Sequence, residues 1–230
     1  MVPQLPDYKY TPALRWFAEG RPCDTPDTSN PKRGTDKAHE LATPTGKIEF
    51  VSKTLSERTP DDDERAPLPT YKPSWEGHET AELFSKYPLQ LISPHPRFSF
   101  HTHHDTRVPW LSEIPEHRMW IDGYNYQVCR IHPQDAQARG IGNGDIVRLY
   151  NDRASVLCLA VVTPRVRPGV IHSYASSAKY DPLIPGRADS PDKGGCVNML
   201  TPSRMLSQNA PGMTPNSCLI EIEKWRDKAG

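Results

Sequence analysis

The chain has few cysteines and no motif that groups them. Its 5 cysteines among 230 residues are Cys23, Cys129, Cys158, Cys196 and Cys218, and no two of them form a CxxC pair. A zinc ribbon or a cysteine-bound iron–sulfur cluster needs closely spaced thiolates, and a disulfide framework needs a denser, even set of cysteines. We therefore expect buried or incidental thiols.

The sequence also lacks net charge and long apolar runs. Lys+Arg and Asp+Glu number 28 each, which removes the broad electrostatic attraction to nucleic acid or to an anionic membrane. No run approaches the ~18 apolar residues that span a bilayer. The first ten residues lack the basic and then apolar order of a secretory signal. We expect no nucleic-acid partner, no membrane partner and a cytoplasmic location.

Proline, by contrast, is abundant. The 25 prolines are about twice the ~5 % of average usage, and those before residue 88 interrupt every helical pattern there. Residues 1–87 are therefore predicted to be irregular wrapping or linking polypeptide. Within them, residues 43–55 predict a turn and a short alternating strand with Ile48 and Phe50 on one face, and residues 78–86 predict a helix.

From residue 88 onward the pattern is typical of a small β-domain. Short apolar or alternating runs separated by Gly, Pro and Asn predict six strands, at residues 89–93, 126–131, 145–150, 155–162, 170–174 and 218–224. Six strands suffice to close a barrel. Between the second and third strands, His132 and Pro133 predict the start of a short crossover helix, and Gly140 predicts its end.

One loop concentrates histidine. The segment "HPRFSFHTHHD" (95–105) holds four imidazoles beside Arg97 and Phe98. In an extended segment His101 and His103 share a face, so a metal site would need a third ligand from elsewhere. A second interpretation is a set of exposed or core-capping histidines that bind no ligand. A third is a loop that grips an anionic ligand, because arginine binds phosphate with two hydrogen bonds and imidazole donates from either nitrogen.

Several motifs occur together in the order typical of one family. They include "TPTGKIEFVS" (43–52), "LISPHPRFSFHTHHD" (91–105), "IHPQDAQARGIGNGDIVRLYNDR" (131–153), "GGCVNMLTPSRMLSQNAP" (194–211) and "SCLIEIEKW" (217–225). This set resembles the C-terminal segment of the molybdopterin oxidoreductases of the dimethyl sulfoxide reductase family, over about residues 40–225. The block at 131–153 is its most specific element.

The resemblance implies a mainly β fold, a six-stranded double-psi β-barrel with short crossover helices and an irregular N-terminal extension. It implies that residues 1–87 are the tail of a preceding domain with a linker, and that residues 88–230 are a barrel domain that binds bis-molybdopterin guanine dinucleotide. The expected cofactor contacts share hydrogen-bonding or planar side chains, and are Ser93, His95, Arg97, Phe98, His101, His103, His104, Asn198 and Gln208. No catalytic residue and no metal ligand is expected in this chain.

Within the family, the histidine-rich first loop most resembles the pyrogallol–phloroglucinol transhydroxylase branch. The resemblance implies an intact large subunit that moves a hydroxyl group on a small aromatic substrate, with an iron–sulfur small subunit as partner. It places the molybdenum ligand upstream, so we expect this chain to be a fragment that is inactive without the remainder of the large subunit. The alternative is a free-standing double-psi barrel that binds a ligand or a protein without catalysis.

Overall fold

The computed structural model describes residues 43–97, 108–114, 117–175, 180–213 and 216–226. The chain divides into two compact units. The described part of the first comprises residues 43–61 and 66–70, and the second comprises residues 62–65 and the described residues from 71 onward. This division groups residues 71–87 with the barrel, while the domain boundary expected after residue 87 stays a prediction.

The first unit contains a turn and one short helix. The predicted turn is present, since the Gly46 N–H donates to the Thr43 carbonyl (3.1 Å), but the predicted strand after it is wrong. Ile48 and Phe50 are 74 % and 77 % exposed, and the chain continues into helix α1, Lys53–Arg58, capped by the Ser52 hydroxyl. An alternating pattern forms a strand only where a neighbouring strand satisfies its backbone.

The second unit is mainly β. Its helices are α2 (Ala81–Lys86), α3 (Pro109–Ser112), α4 (Pro133–Ala138) and a 3₁₀ helix (Val197–Leu200). Its strands are β1 (Leu89–Ile92), β2 (Arg118–Ile121), β3 (Tyr124–Ile131), β4 (Ile146–Tyr150), β5 (Ser155–Val162), β6 (Val170–Ser173), β7 (Met205–Ser207), β8 (Ala210–Met213) and β9 (Leu219–Lys224). None of these helices has the length and apolar character required to cross a bilayer in the part of the chain that the structure describes.

Six strands close into a barrel in the order β3-β5-β4-β9-β1-β6, and the pairing of β6 with β3 completes the ring. The pairs β1–β6 and β3–β5 are parallel, and the other four are antiparallel. The six strands predicted from the sequence are these six, with ends that differ by at most two residues.

The barrel has an internal two-fold pattern. Exchanging β1 with β5, β3 with β6, and β4 with β9 maps each neighbouring pair either onto itself or onto another pair of the same direction. Each half therefore contributes three strands that interleave with those of the other half. This is the topology of a double-psi barrel, and the predicted fold class is confirmed.

Every second side chain along the strands points inward, and these side chains fill the barrel. In β5, Val156, Cys158 and Ala160 face the inner core, and in β9 Ile220 and Ile222 do. Helix α4 contributes Ala136 and the 3₁₀ helix contributes Val197 and Leu200, which is consistent with both elements closing barrel ends. The thiols of Cys129, Cys158 and Cys218 are buried, as expected from their spacing.

The outer face of β5 is buried as well. Leu157 and Leu159 pack with Tyr126 in a second cluster, bordered by Ile121 from β2 and by Trp225. Strand β2 joins β3 through a tight turn in which Asp122 and Gly123 both have positive φ (48° and 75°). The β2–β3 hairpin therefore covers one side of the barrel. Because β5 is buried on both faces, its sequence is a continuous apolar run.

The core predicts a steep stability contrast between two leucines. Leu149 of β4 is fully buried in the barrel, whereas Leu183 in a loop is 38 % exposed. We expect Leu149→Ala to lower the free energy of unfolding by about 2–5 kcal/mol and Leu183→Ala by less than about 0.5–1 kcal/mol. Urea unfolding followed by tryptophan fluorescence measures both, and equal losses would contradict the assigned core.

Candidate functional site

One end of the barrel collects the residues that the sequence singled out. Strand directions bring the C-terminal ends of β1, β4 and β6 together with the N-terminal ends of β3, β5 and β9. We call this end the β1 rim. Residues 93–97 leave the barrel here after β1. The connection from β6 to β9, which contains residues 190–200 and the β7–β8 hairpin, begins and ends here.

Ser93 is the first residue after β1 and is only 4 % exposed. Its backbone N–H donates to the Asn216 carboxamide oxygen (3.0 Å), which ties the loop to the start of β9. Among the residues that the structure describes, its hydroxyl has no hydrogen-bond partner. A buried hydroxyl without a partner costs stability, so Ser93 carries a donor that the described fold does not use.

The loop after Ser93 is held to β6 and then turns outward. The Ala175 N–H donates to the Pro94 carbonyl (2.9 Å), so the segments following β1 and β6 lie side by side. His95 and Arg97 are exposed at this rim. Phe98, His101, His103 and His104 lie outside the described residues.

Asn198 lies in the 3₁₀ helix at the same rim. The Leu200 carbonyl at the end of this helix accepts from the Asn151 carboxamide (2.8 Å) and from Arg153 Nε (2.7 Å), which anchors the helix where β4 ends. The Asn198 side chain is exposed, and its carboxamide makes no hydrogen bond within the described residues. A donor and an acceptor are thus presented on a fixed helix.

Arg153 also connects this rim to the segment before α2. Its guanidinium binds the Glu76 carboxylate with two hydrogen bonds (2.6 and 2.8 Å), and the carboxylate oxygen Oε2, which accepts one of them, also accepts from the Leu219 N–H (2.9 Å). Glu76 is 8 % exposed. The pair therefore fixes the start of β9 against the chain that precedes the barrel.

Gln208 lies at the tip of the β7–β8 hairpin. It is exposed, and its side chain has no bonding partner in the ranges that the structure describes. The residues on either side are fixed, because the Asp62 carboxylate accepts from the Ser207 hydroxyl (3.0 Å) and from the Asn209 carboxamide (3.1 Å). Asp62 thus holds the turn that presents Gln208.

Glycines before Asn198 pack against the barrel. A Cβ atom added to Gly195 would lie 2.4 Å from the Gln127 Cβ and 3.1 Å from the Leu157 carbonyl oxygen, and Gly195 has a φ of 77°. Glycine is therefore required at position 195 by its contact with β3 and β5.

The opposite end of the barrel uses its polar groups internally. The Asp135 carboxylate accepts from the Gly169 N–H (2.7 Å), Asp145 accepts from the Gly142 N–H (2.7 Å), and Asn143 accepts from the Val162 N–H (2.9 Å). Arg139 binds Glu221 with two hydrogen bonds (2.7 and 3.2 Å). Among the described residues, the Ser93 hydroxyl at the β1 rim is buried without a partner, which sets it apart from these bonded groups.

His172 faces outward from β6 and serves the fold. Burial lowers the pKa of His172, and the nearby Arg130 guanidinium lowers it further. The ring packs edge-on against Tyr174, with centroids 4.9 Å apart. A neutral imidazole in this position packs against its neighbours without a charge to satisfy.

The described residues contain no group of three His, Cys, Asp or Glu side chains placed to hold a metal ion. His101 and His103, on which the metal hypothesis depended, fall outside them. What the described part of the rim offers is an arginine, neutral hydrogen-bond donors and backbone fixed by neighbouring strands. Such a surface suits an anionic ligand with amide-like edges.

Comparison with known families places this rim inside a matched domain. The family model described as "Molydopterin dinucleotide binding domain" matches residues 89–219. The matched segment contains every expected contact residue, both described and not.

Curated relatives match nearly the whole chain. It is 48 % identical over 229 residues to the pyrogallol hydroxytransferase large subunit of Pelobacter acidigallici, an alignment that covers 98 % of this chain and 26 % of the relative. It is 36 % identical over 228 residues to dimethyl sulfoxide reductase DmsA of Escherichia coli K12, covering 97 % and 26 %. The chain thus spans about a quarter of the length of these relatives.

A solved structure supports the fold. Acetylene hydratase from Pelobacter acetylenicus superposes with a TM-score of 0.54 at 18 % sequence identity, covering 84 % of this chain and 25 % of that one.

The unused hydroxyl of Ser93 gives a test that compares two buried serines. The Ser173 hydroxyl donates to the Val128 carbonyl (2.9 Å), so Ser173→Ala should cost about 0.5–1.5 kcal/mol of unfolding free energy. Ser93→Ala should cost nothing, or stabilise the chain by up to about 1 kcal/mol, because it removes an unsatisfied group. Both are measured by urea unfolding without added ligand. A loss at Ser93 as large as that at Ser173 would show that the fold uses this hydroxyl.

Proposed function

Because the chain belongs to the molybdopterin dinucleotide-binding domain family of molybdenum oxidoreductases, we propose that its β1 rim binds bis-molybdopterin guanine dinucleotide. The observation that carries the proposal is the set of hydrogen-bonding groups at this rim that have no partner among the described residues: the buried hydroxyl of Ser93 and the exposed carboxamides of Asn198 and Gln208. At the opposite end of the barrel, Asp135, Asn143 and Asp145 accept from backbone N–H groups.

The residues fit the chemistry of this cofactor. A dinucleotide presents a pyrophosphate, which an exposed arginine such as Arg97 binds in a forked geometry. A pterin presents an edge of alternating donors and acceptors, which carboxamides such as those of Asn198 and Gln208 match. Ser93 and His95 supply further donors beside the arginine. Phe98, His101, His103 and His104 complete the proposed contact set.

Within this proposal the chain binds and orients the cofactor, and the cofactor carries out the reaction. Bound molybdenum supplies redox and oxygen-transfer chemistry in enzymes of this family. The side chains of the rim hold the phosphates, set the orientation of the pterin and cover it from water. We place the molybdenum ligand outside this chain, so that the chain has no turnover by itself.

The function of the whole protein extends the proposal. We infer a large subunit similar to that of pyrogallol hydroxytransferase, which moves a hydroxyl group on a small aromatic substrate. The rest of the large subunit and an iron–sulfur small subunit are its proposed partners, and a cytoplasmic location remains a prediction. The identity of 48 % over 229 residues supports this choice over a dimethyl sulfoxide reductase at 36 %.

The proposal is tested by the pterin content of the chain. When the 230-residue chain is produced in a bacterium that makes molybdopterin guanine dinucleotide, the purified chain should carry pterin, measured by fluorescence after oxidation. Arg97→Ala should lower that content at least fivefold, because it removes a charge-assisted bond worth about 1.5–3 kcal/mol. The matched control is Arg165→Ala, an exposed arginine at the opposite end of the barrel, which should leave the content unchanged.

Circular dichroism and thermal unfolding show whether Arg97→Ala leaves the barrel folded. A folded Arg97→Ala chain with full pterin content would remove Arg97 from the site. An unchanged chain that carries no pterin would overturn the proposed function.

A further inference from the structure

A buried carboxylate organises the loop that leads to Asn198. Asp192 is fully buried, and its backbone pairs with the start of β5 through Ser155 and Leu157 (2.9 Å each). Its carboxylate accepts hydrogen bonds from the backbone N–H groups of Gly194 and Cys196 (3.0 Å each). Cys196 is the residue that caps the 3₁₀ helix. The position of Asn198 is therefore set by Asp192.

A buried arginine holds the same loop from its other side. Arg118, at the start of β2, is 7 % exposed. Its guanidinium donates to the Gly194 carbonyl (3.1 Å), to the Asn125 carbonyl (2.9 and 3.2 Å) and to the Gln127 side-chain oxygen (3.2 Å). Gly194 is thus fixed through its N–H by Asp192 and through its carbonyl by Arg118.

Gln127 extends the connection from β3 to the end of the neighbouring strand β6. It is fully buried, and its side-chain nitrogen donates to the Tyr174 carbonyl (3.2 Å). The next residue, Ala175, donates its N–H to the Pro94 carbonyl (2.9 Å), which adjoins Ser93. A chain of hydrogen bonds therefore runs from the loop that carries Asn198 to the loop that carries Ser93, with Arg118 and Gln127 between them.

We propose that Arg118 and Asp192 are positioning residues that fix the Asn198 loop relative to the Ser93 loop in the geometry that the dinucleotide requires. This inference rests on the proposed function, since it concerns the same rim. Two loops that must contact one rigid ligand bind it more tightly when their separation is set before binding. A buried arginine bound to a backbone carbonyl and a neighbouring side chain suits this role, because its planar fork fixes direction as well as distance.

Three substitutions in the 230-residue chain test the inference. Asp192→Asn keeps the shape of the side chain but removes its negative charge. It also replaces one of the two oxygens that accept from Gly194 and Cys196 by an amide nitrogen. Arg118→Lys keeps a positive charge but loses the fork. Gln127→Glu keeps the oxygen that accepts from Arg118 but loses the N–H that donates to the Tyr174 carbonyl. It therefore breaks the hydrogen-bond connection between the two loops while Arg118 keeps its partner.

The matched control is Arg139→Lys. Arg139 is a partly buried arginine that binds Glu221 with two hydrogen bonds at the opposite end of the barrel. This variant loses a comparable fork far from the rim. It therefore reports what a general loss of stability does to cofactor content.

Three measurements are made on each variant. Amide hydrogen exchange of the cofactor-free chain reports the order of the Gly194 and Cys196 N–H groups. Pterin content after production in the cofactor-making host reports binding, and thermal unfolding identifies the folded variants. We expect exchange at Gly194 and Cys196 to accelerate at least tenfold in Asp192→Asn, and pterin content to fall at least fivefold in all three variants. Arg139→Lys should show neither change, even where its unfolding temperature falls equally.

The outcomes separate this inference from the proposed function. Full pterin content in the folded variants, with pterin also present in the unchanged chain, overturns the inference and leaves the proposed function standing. Loss of folding in all three variants, with Arg139→Lys folded, assigns these residues to the fold and also overturns the inference. Absence of pterin from the unchanged chain overturns the proposed function, and the inference fails with it.

Discussion

The pairing of β3 with β6 is the constraint on which the rest of the structure depends. Without it the six strands form an open sheet with two edges, and with it they form a ring. Closure brings the ends of β1 and β6 beside the start of β3, so that loops distant in sequence meet at one rim. Ser93 and Asn198 are about a hundred residues apart, and the parallel pairing of β1 with β6 places the segments that follow these two strands at the same end. Strand pairing thus brings the loops of the candidate site together, and their side chains then determine what the site can bind.

The two ends of the barrel differ in how their polar groups are used, which bears on the proposed binding surface. At the end formed by α4, carboxylates and amides bond to backbone groups of neighbouring turns, which adds to stability. At the β1 rim, buried carboxylates such as those of Glu76 and Asp192 fix the backbone, while the buried Ser93 hydroxyl has no partner among the described residues. Unsatisfied groups cost free energy in the absence of ligand, and a large barrel core offsets that cost. The strands of the barrel core therefore contribute most of the stabilising free energy, and the rim contains a group that lowers it.

Much of the fold could be predicted from the sequence, because each barrel strand is an apolar or alternating run bounded by turn residues. Gly140, with a φ of 63°, ends α4 where its position indicated. Strand β2 was missed although Asp122 and Gly123 form a hairpin signal, because its residues are mostly exposed and lack an apolar period. The strand expected at Ile48 and Phe50 failed for the opposite reason, since alternation was present without a partner strand. The two-fold pattern was invisible, because equivalent strands in the two halves share pairing and direction but no repeated residues.

The residues of the candidate site also divide into those that the sequence predicted and those that it did not. Ser93, Arg97 and Asn198 were identified because a recognisable pattern of residues surrounds them, and the structure places all three at one rim. Arg118, Asp192 and Gln127 were missed, since their partners are backbone groups that are distant in sequence, and no local pattern reports a bond from a guanidinium to the carbonyl of Gly194. Residues that touch a ligand leave a signal in composition, such as clustered donors in a loop stiffened by proline. Residues that hold those donors in place act through the fold, so they become visible only when the barrel is closed.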